Sequence, residues 1–349
     1  MKYFTGSYIV TIAGIIAAYL WGEHVQPGTG FLCVFITLIL GVLEVSLSFD
    51  NAVVNAMKLE KMDKVWERRF LTWGIAIAVF GMRFVFPLLV VGIFAKLNLL
   101  KVLNIALTDS NLYAHYLHQT HAPIVAFGGA FLLMLFLSYF FDCNKTVHWI
   151  KGVEHCCCRL GNIKSFETIL TLIAVLITHH FVPDEYKAPV LTSGVIGIVI
   201  YLTIDGLTHW LEKHEEERAK TLAQTAKQGG LIAFLYLELI DASFSLDGVL
   251  GAFALSHDIV IITIGLSIGA MFVRSLTVML VEQKTLAKYM YLEHGAHWAI
   301  GALAIIMFIS TSHEVPEVVT GLIGLAFILA AFGSSLIHNK KEQGANNEN

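Results

Sequence analysis

The chain has 349 residues, of which 56% are hydrophobic and 14% are charged, with a formal net charge of −4. An average soluble protein is about 45–50% apolar and about 25% charged, and the mean hydropathy of this chain is high, at +0.69. The composition excludes a soluble enzyme and predicts a polytopic membrane protein embedded in a lipid bilayer. The basic residues are spread through short loops, so no dense Lys/Arg surface supports nucleic-acid binding.

Ten apolar stretches predict an all-α bundle of about ten transmembrane helices. They lie near residues 3–21, 31–57, 71–95, 122–141, 166–182, 188–209, 231–255, 258–281, 296–312 and 316–337. The first is expected to be a retained helix, because Tyr19-Leu20-Trp21 offers no small-residue cleavage site for a signal peptidase. Residues 1–349 are interpreted as a single transmembrane domain that ends in a disordered cytoplasmic tail at 339–349.

The loop charges predict the orientation of the spans. If the N-terminus is cytoplasmic and every stretch crosses, 18 of the 23 Lys and Arg residues fall in cytoplasmic segments and 3 in outer loops, while Arg83 and Arg274 lie inside spans. By the positive-inside rule, both termini are predicted to be cytoplasmic. The expected location is the plasma (inner) membrane.

Two groups of metal-binding residue types lie in the predicted loops. The adjacent Cys156, Cys157 and Cys158 have the wrong geometry for ordinary disulfides and lack the spacing of a structural zinc site. We interpret them as a reduced, juxtamembrane cytoplasmic cluster, with metal sensing and acylation as alternatives. In an outer loop, His115, His118 and His121 follow one another at three-residue spacing. They could collect a metal, but an incidental polar face is the favoured interpretation.

Two acidic segments of the chain repeat each other. Residues 43–52 read Leu-Glu-Val-Ser-Leu-Ser-Phe-Asp-Asn-Ala, and residues 240–249 read Ile-Asp-Ala-Ser-Phe-Ser-Leu-Asp-Gly-Val, so that they align as acid-x-Ser-x-Ser-x-Asp at a spacing of 197 residues. The spans that follow align at a spacing of 191 through Gly74 with Gly265 and Arg83 with Arg274. Because the second and seventh spans would cross in opposite directions, we predict two inverted five-span repeats, approximately 1–182 and 188–337.

Carboxylates within a bilayer are costly unless they are paired, hydrated or lining a cavity. Glu44 and Asp50 would point about 240° apart on a regular helix, so a shared ligand requires the helix to unwind between them. Carboxylates, hydroxyls and freed carbonyls suit Mn²⁺, Mg²⁺ or Ca²⁺ better than Cu⁺ or Zn²⁺. The predicted metal site consists of Glu44, Asp50, Asp241 and Asp247 with Ser46, Ser48, Asn51, Ser243 and Ser245.

Other roles remain open for these polar residues. The acidic clusters could instead bridge helices or carry protons. Arg83 and Arg274 need partners at membrane depth and are predicted to face the carboxylates of their own repeat or of the other. Their role is either that of gating counter-ions or that of fixed ion pairs that hold helices together.

The sequence gives little support for an enzymatic function. The segment Gly265-Leu266-Ser267-Ile268-Gly269 fits the G-x-S-x-G pattern of serine hydrolases, but it lies within a predicted span and not on a strand-to-helix turn. Its counterpart at 74–78 has Ala in place of the Ser. Close helix packing by small residues explains both segments. We therefore expect no enzyme and no permanently bound cofactor.

At the two acidic segments the chain resembles the TerC family of integral membrane proteins, named for tellurium resistance, and most closely a branch known only as a domain of unknown function. Residues 43–52 are similar to the S-x-D-N signature of that family, and residues 240–249 depart from it with Gly248 in the place of Asn. With Arg83 and Arg274, the similarity covers roughly 31–140 and 231–310.

The resemblance implies an inverted-repeat exporter whose substrate is a divalent metal ion, Mn²⁺ first. It implies metal-binding roles for Glu44, Asp50, Asp241 and Asp247. The alternative function is a non-transporting membrane scaffold or accessory protein in metal or tellurium stress resistance, with membrane or cytoplasmic proteins as partners. Metal-dependent transport in vesicles distinguishes the two.

Overall fold

The computed structural model describes residues 2–347 apart from 61, 63, 75–76, 95, 144, 146, 162, 164, 219–233, 236, 240–251, 253–254, 257, 284–287 and 314. Across these residues the chain is all-helical and contains no β-strand. The acidic segment 240–249 therefore lies outside the described residues, together with most of the predicted span 231–255. The predictions made for both remain predictions.

A 3₁₀ turn at Lys2–Phe4 precedes α1 (Thr5–Val25), α2 (Gly30–Leu47), α3 (Phe49–Glu60), α4 (Lys64–Arg69), α5 (Phe86–Phe94), α6 (Leu99–Thr108) and α7 (Ser110–Phe141). They are followed by α8 (Lys151–Gly161), α9 (Phe166–Phe181), α10 (Asp184–Arg218), α11 (Ile259–Glu282), α12 (Leu292–Ser310) and α13 (Glu317–Asn347). Between α4 and α5 the chain forms wide π-type helical turns at Phe70–Gly74 and Ile77–Val85.

Within the described ranges, six helices are long and apolar enough to cross a membrane: Thr5–Val25, Asn111–Phe141, Asp184–Leu207, Ile259–Glu282, Leu292–Ser310 and Val319–Lys341. Two bent pairs raise this number to eight if each pair forms one span. These pairs are α2 with α3, bent by 52°, and α8 with α9, bent by 100°. The chain is therefore an integral membrane protein.

Several helices carry apolar side chains that are exposed among the residues described by the structure. On α1, the exposed fractions of Ile9, Ile12 and Ile16 are 63%, 62% and 55%. On α9, Leu176 and Ile177 are each 55% exposed. Such surfaces are unfavourable in water but suit hydrocarbon chains. These faces therefore contact the lipid bilayer.

Three sequence-based expectations differ from the structure. The predicted span 71–95 is not one regular helix, because it begins with π-type turns and ends in the short α5. The loop predicted to carry His115, His118 and His121 is helical, because Asp109 caps α7 by accepting a hydrogen bond from the Leu112 N–H at 3.0 Å. The tail predicted to be disordered from residue 339 is helical through Asn347.

The helical tail has a simple physical reason. The transmembrane part of α13 already supplies the costly nucleus of a helix, and each further residue adds one backbone hydrogen bond. The four residues at 340–343 are Lys-Lys-Glu-Gln, all good helix formers, so the first turns beyond the membrane span meet no stop signal.

The described chain divides into two compact units whose segments alternate along the sequence. The first unit contains residues 1–52, 61–122 and 207–279. Its apolar core includes Leu40, Leu88, Tyr113, Ile259 and Leu266. The second unit contains residues 53–60, 123–206 and 280–349.

In the second unit, aromatic side chains pack α7 against α12. Phe136 and Phe140 lie 5.4 and 4.9 Å from the Trp298 ring, measured between ring centroids. Gly301 follows on the same helix, and a methyl group there would collide with the Phe136 ring. Small residues thus let the helices approach closely enough for the rings to interdigitate.

The interpretation of the cysteine cluster as reduced is wrong for Cys158, which forms a disulfide with Cys143. Their Cα atoms are 5.0 Å apart, within the usual range for disulfides. The pairing arises because α8 folds back on the end of α7, where Gly161 packs directly against the backbone of Phe141. Cys33, Cys156 and Cys157 are free thiols.

Candidate functional site in the first unit

The first acidic segment lies at a bend between two helices. Ser48, with φ −100° and ψ 15°, separates α2 from α3. This bend falls between Glu44 and Asp50, where the sequence predicts that the helix unwinds. The Ser48 N–H still donates to the Glu44 carbonyl at 2.9 Å, and the Ala52 N–H to the Ser48 carbonyl at 3.1 Å. The chain is therefore bent and not unwound here, so these two carbonyls are not released as ligands.

Glu44 is the centre of the described site. Its side chain is buried, and its Oε1 accepts a hydrogen bond from Ser48 Oγ at 2.9 Å. The same oxygen forms an ion pair with Nη2 of Arg83, which is also buried. Arg83 therefore faces the acid of its own predicted repeat, one of the two alternatives left open by the sequence.

Arg83 lies in the π-type turns at Ile77–Val85. Such turns are rare and occur frequently at functional sites, since they rotate side chains away from the direction that a regular helix would give them. A guanidinium keeps its charge at any physiological pH and offers a planar fork to carboxylates. The pair therefore places a permanent positive charge on a carboxylate that would otherwise be costly to bury.

Glycines of α11 bring that helix against the Glu44 face of α2. A methyl group at Gly265 would lie 2.6 Å from Leu40 Cβ, and one at Gly269 would collide with Cβ and Cγ of Glu44. The Glu44 side chain is therefore confined between Arg83, Ser48 and the backbone of α11. The G-x-S-x-G segment serves close helix packing in the structure, as the sequence predicts.

We expect Gly269→Ala to destabilise the chain by about 1–3 kcal/mol, a typical cost of overpacking. Glu44 Cβ is attached to the helix backbone and cannot rotate away, so α2 and α11 must separate. Thermal unfolding of the purified chain in detergent measures the effect. Gly333→Ala is the matched control, because a methyl group there meets no atom within 4 Å. Equal melting temperatures for the two variants would contradict the close approach at Gly269.

The remaining predicted site residues have different surroundings. Ser46 is exposed and donates back to the Val42 carbonyl at 2.8 Å, so the structure does not bring its hydroxyl to Glu44. Asn51 is buried near the start of α3, and Arg274 is partly buried on α11. Asp50 belongs to the first turn of α3, but its side chain lies outside the described part, as do Asp241, Ser243, Ser245 and Asp247.

Sequence reasoning missed one buried acid in this unit, Glu238. Its side chain is only 7% exposed, and a methyl group at Gly74 would lie 3.0 Å from its Oε1. Glu238 precedes the second acidic segment and lies within a predicted span. At the repeat spacing of 197 it corresponds to Gly41, which is not acidic. Glu238 is therefore not part of the duplicated pattern, and its charge inside an apolar stretch was the available signal.

Comparison with known proteins assigns this chain to a protein family. Residues 49–342 match the model of a family described as a protein of unknown function, DUF475. The uncharacterized membrane protein YceF of Bacillus subtilis (strain 168) is 28% identical over 222 aligned positions, which cover 53% of this chain and 83% of the relative. No solved structure matches the chain. Since the family model spans most of its length, the chain belongs to the DUF475 family of proteins of unknown function.

Proposed function

We propose that this protein is a membrane transporter that exports a divalent cation, with Mn²⁺ as the first candidate, through a carboxylate and hydroxyl site between two inverted repeats. The observation that carries the proposal is the duplicated acid-x-Ser-x-Ser-x-Asp segment, whose first copy has a buried carboxylate at a helix bend. The resemblance to the TerC family favours the same function. In this proposal the metal is cargo, the protein has no catalytic role, and both termini lie on the cytoplasmic side of the plasma membrane.

A pair of helix contacts supports the inverted repeat within a ten-span chain. Gly74 lies beside Glu238, and Gly41 lies beside Gly265, whose carbonyl would be 3.5 Å from a methyl group at Gly41. The spacing of 191 carries Gly74 onto Gly265, and the spacing of 197 carries Gly41 onto Glu238. Exchanging the two halves therefore converts one contact into the other, which is the expected property of a pseudo-two-fold axis.

The chemistry of the site fits a hard divalent cation. Carboxylate and hydroxyl oxygens are the ligands that Mn²⁺, Mg²⁺ and Ca²⁺ accept. The Ser48 hydroxyl donates a hydrogen bond to Glu44, and the lone pairs of its oxygen can still bind a cation. If all four acids ionise, one divalent ion leaves two negative charges, which Arg83 and Arg274 would balance. This count explains why acids and arginines are duplicated together.

In the proposed mechanism, Arg83 acts as the counter-ion of Glu44 when no metal is bound. A cation that reaches Glu44 replaces part of this interaction, so metal binding loosens the tie between α2 and the π-type turns that carry Arg83. Such a competition links occupancy of the site to helix position, which an alternating-access transporter requires.

The proposal is tested by measuring Mn²⁺, Mg²⁺, Ca²⁺ and Zn²⁺ flux in one reconstituted preparation. We expect Mn²⁺ flux to exceed that of the other ions and to fall at least tenfold in Asp50→Asn and in Asp247→Asn. Asp184→Asn, which removes an exposed carboxylate, is the matched control. Absence of flux for every cation would reject the transporter function and leave the alternative, a non-transporting membrane scaffold. The function of a scaffold should depend on the cytoplasmic loops and not on the buried acids.

The proposed topology predicts the outcome of reporter fusions. Because basic residues concentrate in alternate loops, fusions after Asn339 and within 210–229 should both report a cytoplasmic location. A fusion at Pro183, between α9 and α10, should report an external one and serves as the control. An external signal from either of the first two fusions would overturn the inverted repeat.

A further inference from the structure

The second unit contains a buried carboxylate that the proposed metal site does not use. Glu154 lies in the first turn of α8, and its side chain is fully buried. Its Oε1 accepts hydrogen bonds from the backbone N–H groups of Trp149 at 3.2 Å and Ile150 at 3.1 Å. This oxygen therefore holds the chain in the turn that starts α8, and the second oxygen remains for other partners.

The second carboxylate oxygen lies between two imidazole rings. Glu154 Oε2 is 3.1 Å from Nδ1 of His148 and 3.5 Å from Nε2 of His294. Nε2 of His294 also lies 2.9 Å from the Val147 carbonyl, which can only accept, so this nitrogen carries a hydrogen. Nδ1 of His294 is 3.4 Å from the Tyr139 hydroxyl. A continuous series of exchangeable groups thus runs from His148 to Tyr139.

The charge balance of this arrangement changes with a single proton. When both imidazoles are neutral, Glu154 is a buried anion beside two neutral rings. One added proton converts either ring into a cation in contact with the carboxylate, and the group becomes neutral overall. A second proton would leave a net positive charge in a buried place. The charge count therefore accommodates one added proton but not two.

The side chains of His148, Glu154 and His294 differ in exposure, so the series of exchangeable groups has an outer end and an inner end. The His148 side chain is 32% exposed, whereas those of His294 and Glu154 are 4% and 0% exposed. Water therefore reaches His148 alone among them. At the inner end, the Tyr139 ring stacks on His297 with ring centroids 3.5 Å apart.

Among the residues that the structure describes, other charged and titratable groups lie near this arrangement. They are Asp142 and Lys145 in the segment before α8, Cys157 on α8, Glu293 and His297 on α12, and Lys58 on α3. The Lys145 ammonium lies 4.1 Å above the Tyr139 ring and 4.6 Å above the Phe140 ring. Burial lowers the pKa of Lys145, while Glu154 and Asp142 act in the opposite direction.

We propose that His148, Glu154 and His294 form one proton-binding site that exchanges protons with water through His148. The close approach of Cys143 and Cys158 supports the site, because Cys158 follows Glu154 by one helical turn and holds α8 against the segment after α7. Tyr139 completes the site. Its hydroxyl donates a hydrogen bond to Nδ1 of neutral His294, and it accepts one when Nδ1 gains the second hydrogen of the ring.

The test follows the ring nitrogens of the histidines by NMR in the full chain, labelled with ¹⁵N-histidine and held in detergent micelles. The signals of His148 and His294 are assigned by their loss in His148→Gln and His294→Gln. Because the groups share one proton, we expect both signals to change in a single common transition as the pH is lowered. In Glu154→Gln, two separate transitions should replace it.

Controls keep the result interpretable. His115→Gln removes an exposed histidine of α7 and should leave the common transition unchanged. His148→Gln retains Glu154 but removes the link to water, so proton exchange at His294 should slow at least tenfold. Independent transitions of the two histidines in the parent chain, or identical behaviour of the parent and Glu154→Gln, would overturn the shared site.

The same site would supply the proton that moves in the opposite direction to the metal ion, a role that rests on the proposed function. In vesicles that contain a pH-sensitive dye, Mn²⁺ movement should be accompanied by proton movement in the opposite direction. Glu154→Gln should reduce the proton movement per metal ion at least tenfold. Equal ratios in the parent and the variant would reject the counter-ion role, whereas absence of Mn²⁺ flux in the parent would reject the proposed function and leave the proton site to the NMR result.

Discussion

Glu44→Gln and Arg83→Gln are each expected to destabilise the purified chain by about 3–5 kcal/mol, because each variant leaves one charge of a buried ion pair without its partner. The structure buries both side chains and joins them through Glu44 Oε1 and Arg83 Nη2. The double variant removes both charges and should recover part of the loss. Its destabilisation should therefore be smaller than the sum of the two single effects.

Thermal and denaturant unfolding in detergent measure the three variants. Arg83→Lys tests the geometry of the pair, since it keeps the charge but not the planar fork of donors. It should fold with intermediate stability and transport metal more slowly than the parent. Asp184→Asn, at an exposed ion pair with Lys187, should change stability little. Strictly additive losses for Glu44 and Arg83 would show that the two side chains do not stabilise each other.

The second large effect is expected at the two aspartates of the proposed metal site. Asp50→Asn and Asp247→Asn keep the shape of each side chain and remove one negative charge. Each should weaken Mn²⁺ binding by about 1.5–3 kcal/mol, the usual worth of a contact to a charged group, which corresponds to roughly a tenfold to hundredfold loss of affinity. Calorimetry of the purified chain measures the affinity, with Asp184→Asn as the control for a charge change outside the site.

Unaltered affinity in both variants would mean that the acidic segments serve packing or proton transfer. Loss of binding in Asp50→Asn alone would confine the site to the first segment. In that case Glu44, Ser48 and Asp50 would be its ligands, and the second segment would have a different role.

The sequence was most informative where polar residues interrupt apolar stretches. The helical periodicity places Glu44 and Ser48 on one face, and the structure joins them by a hydrogen bond. The interruption of the helix at Ser48 was expected only if Glu44 and Asp50 share a ligand, and the structure shows a bend there and not the predicted unwinding. The need of Arg83 for a carboxylate follows from its depth in the membrane. These features depend on residues close in sequence or on a charge that must be compensated within the membrane.

Features that depend on how distant segments meet were not predictable. Cys143 and Cys158 are brought together only because α8 folds back on α7, and the sequence shows the triplet but not its partner. Glu154, His148 and His294 read as ordinary polar residues near loops, since their burial comes from packing between α7, α8 and α12. The π-type turns around Arg83 carry no composition that distinguishes them from a regular membrane helix.

The central claim, that the two acidic segments form one divalent-cation site, is tested most directly by calorimetric Mn²⁺ titration of Asp50→Asn, Asp247→Asn and the double variant. If both carboxylates bind one ion, the parent binds a single Mn²⁺ per chain, and the double variant loses less binding free energy than the sum of the single variants. Strictly additive losses, or two ions bound per chain with each variant abolishing one, would contradict a shared site.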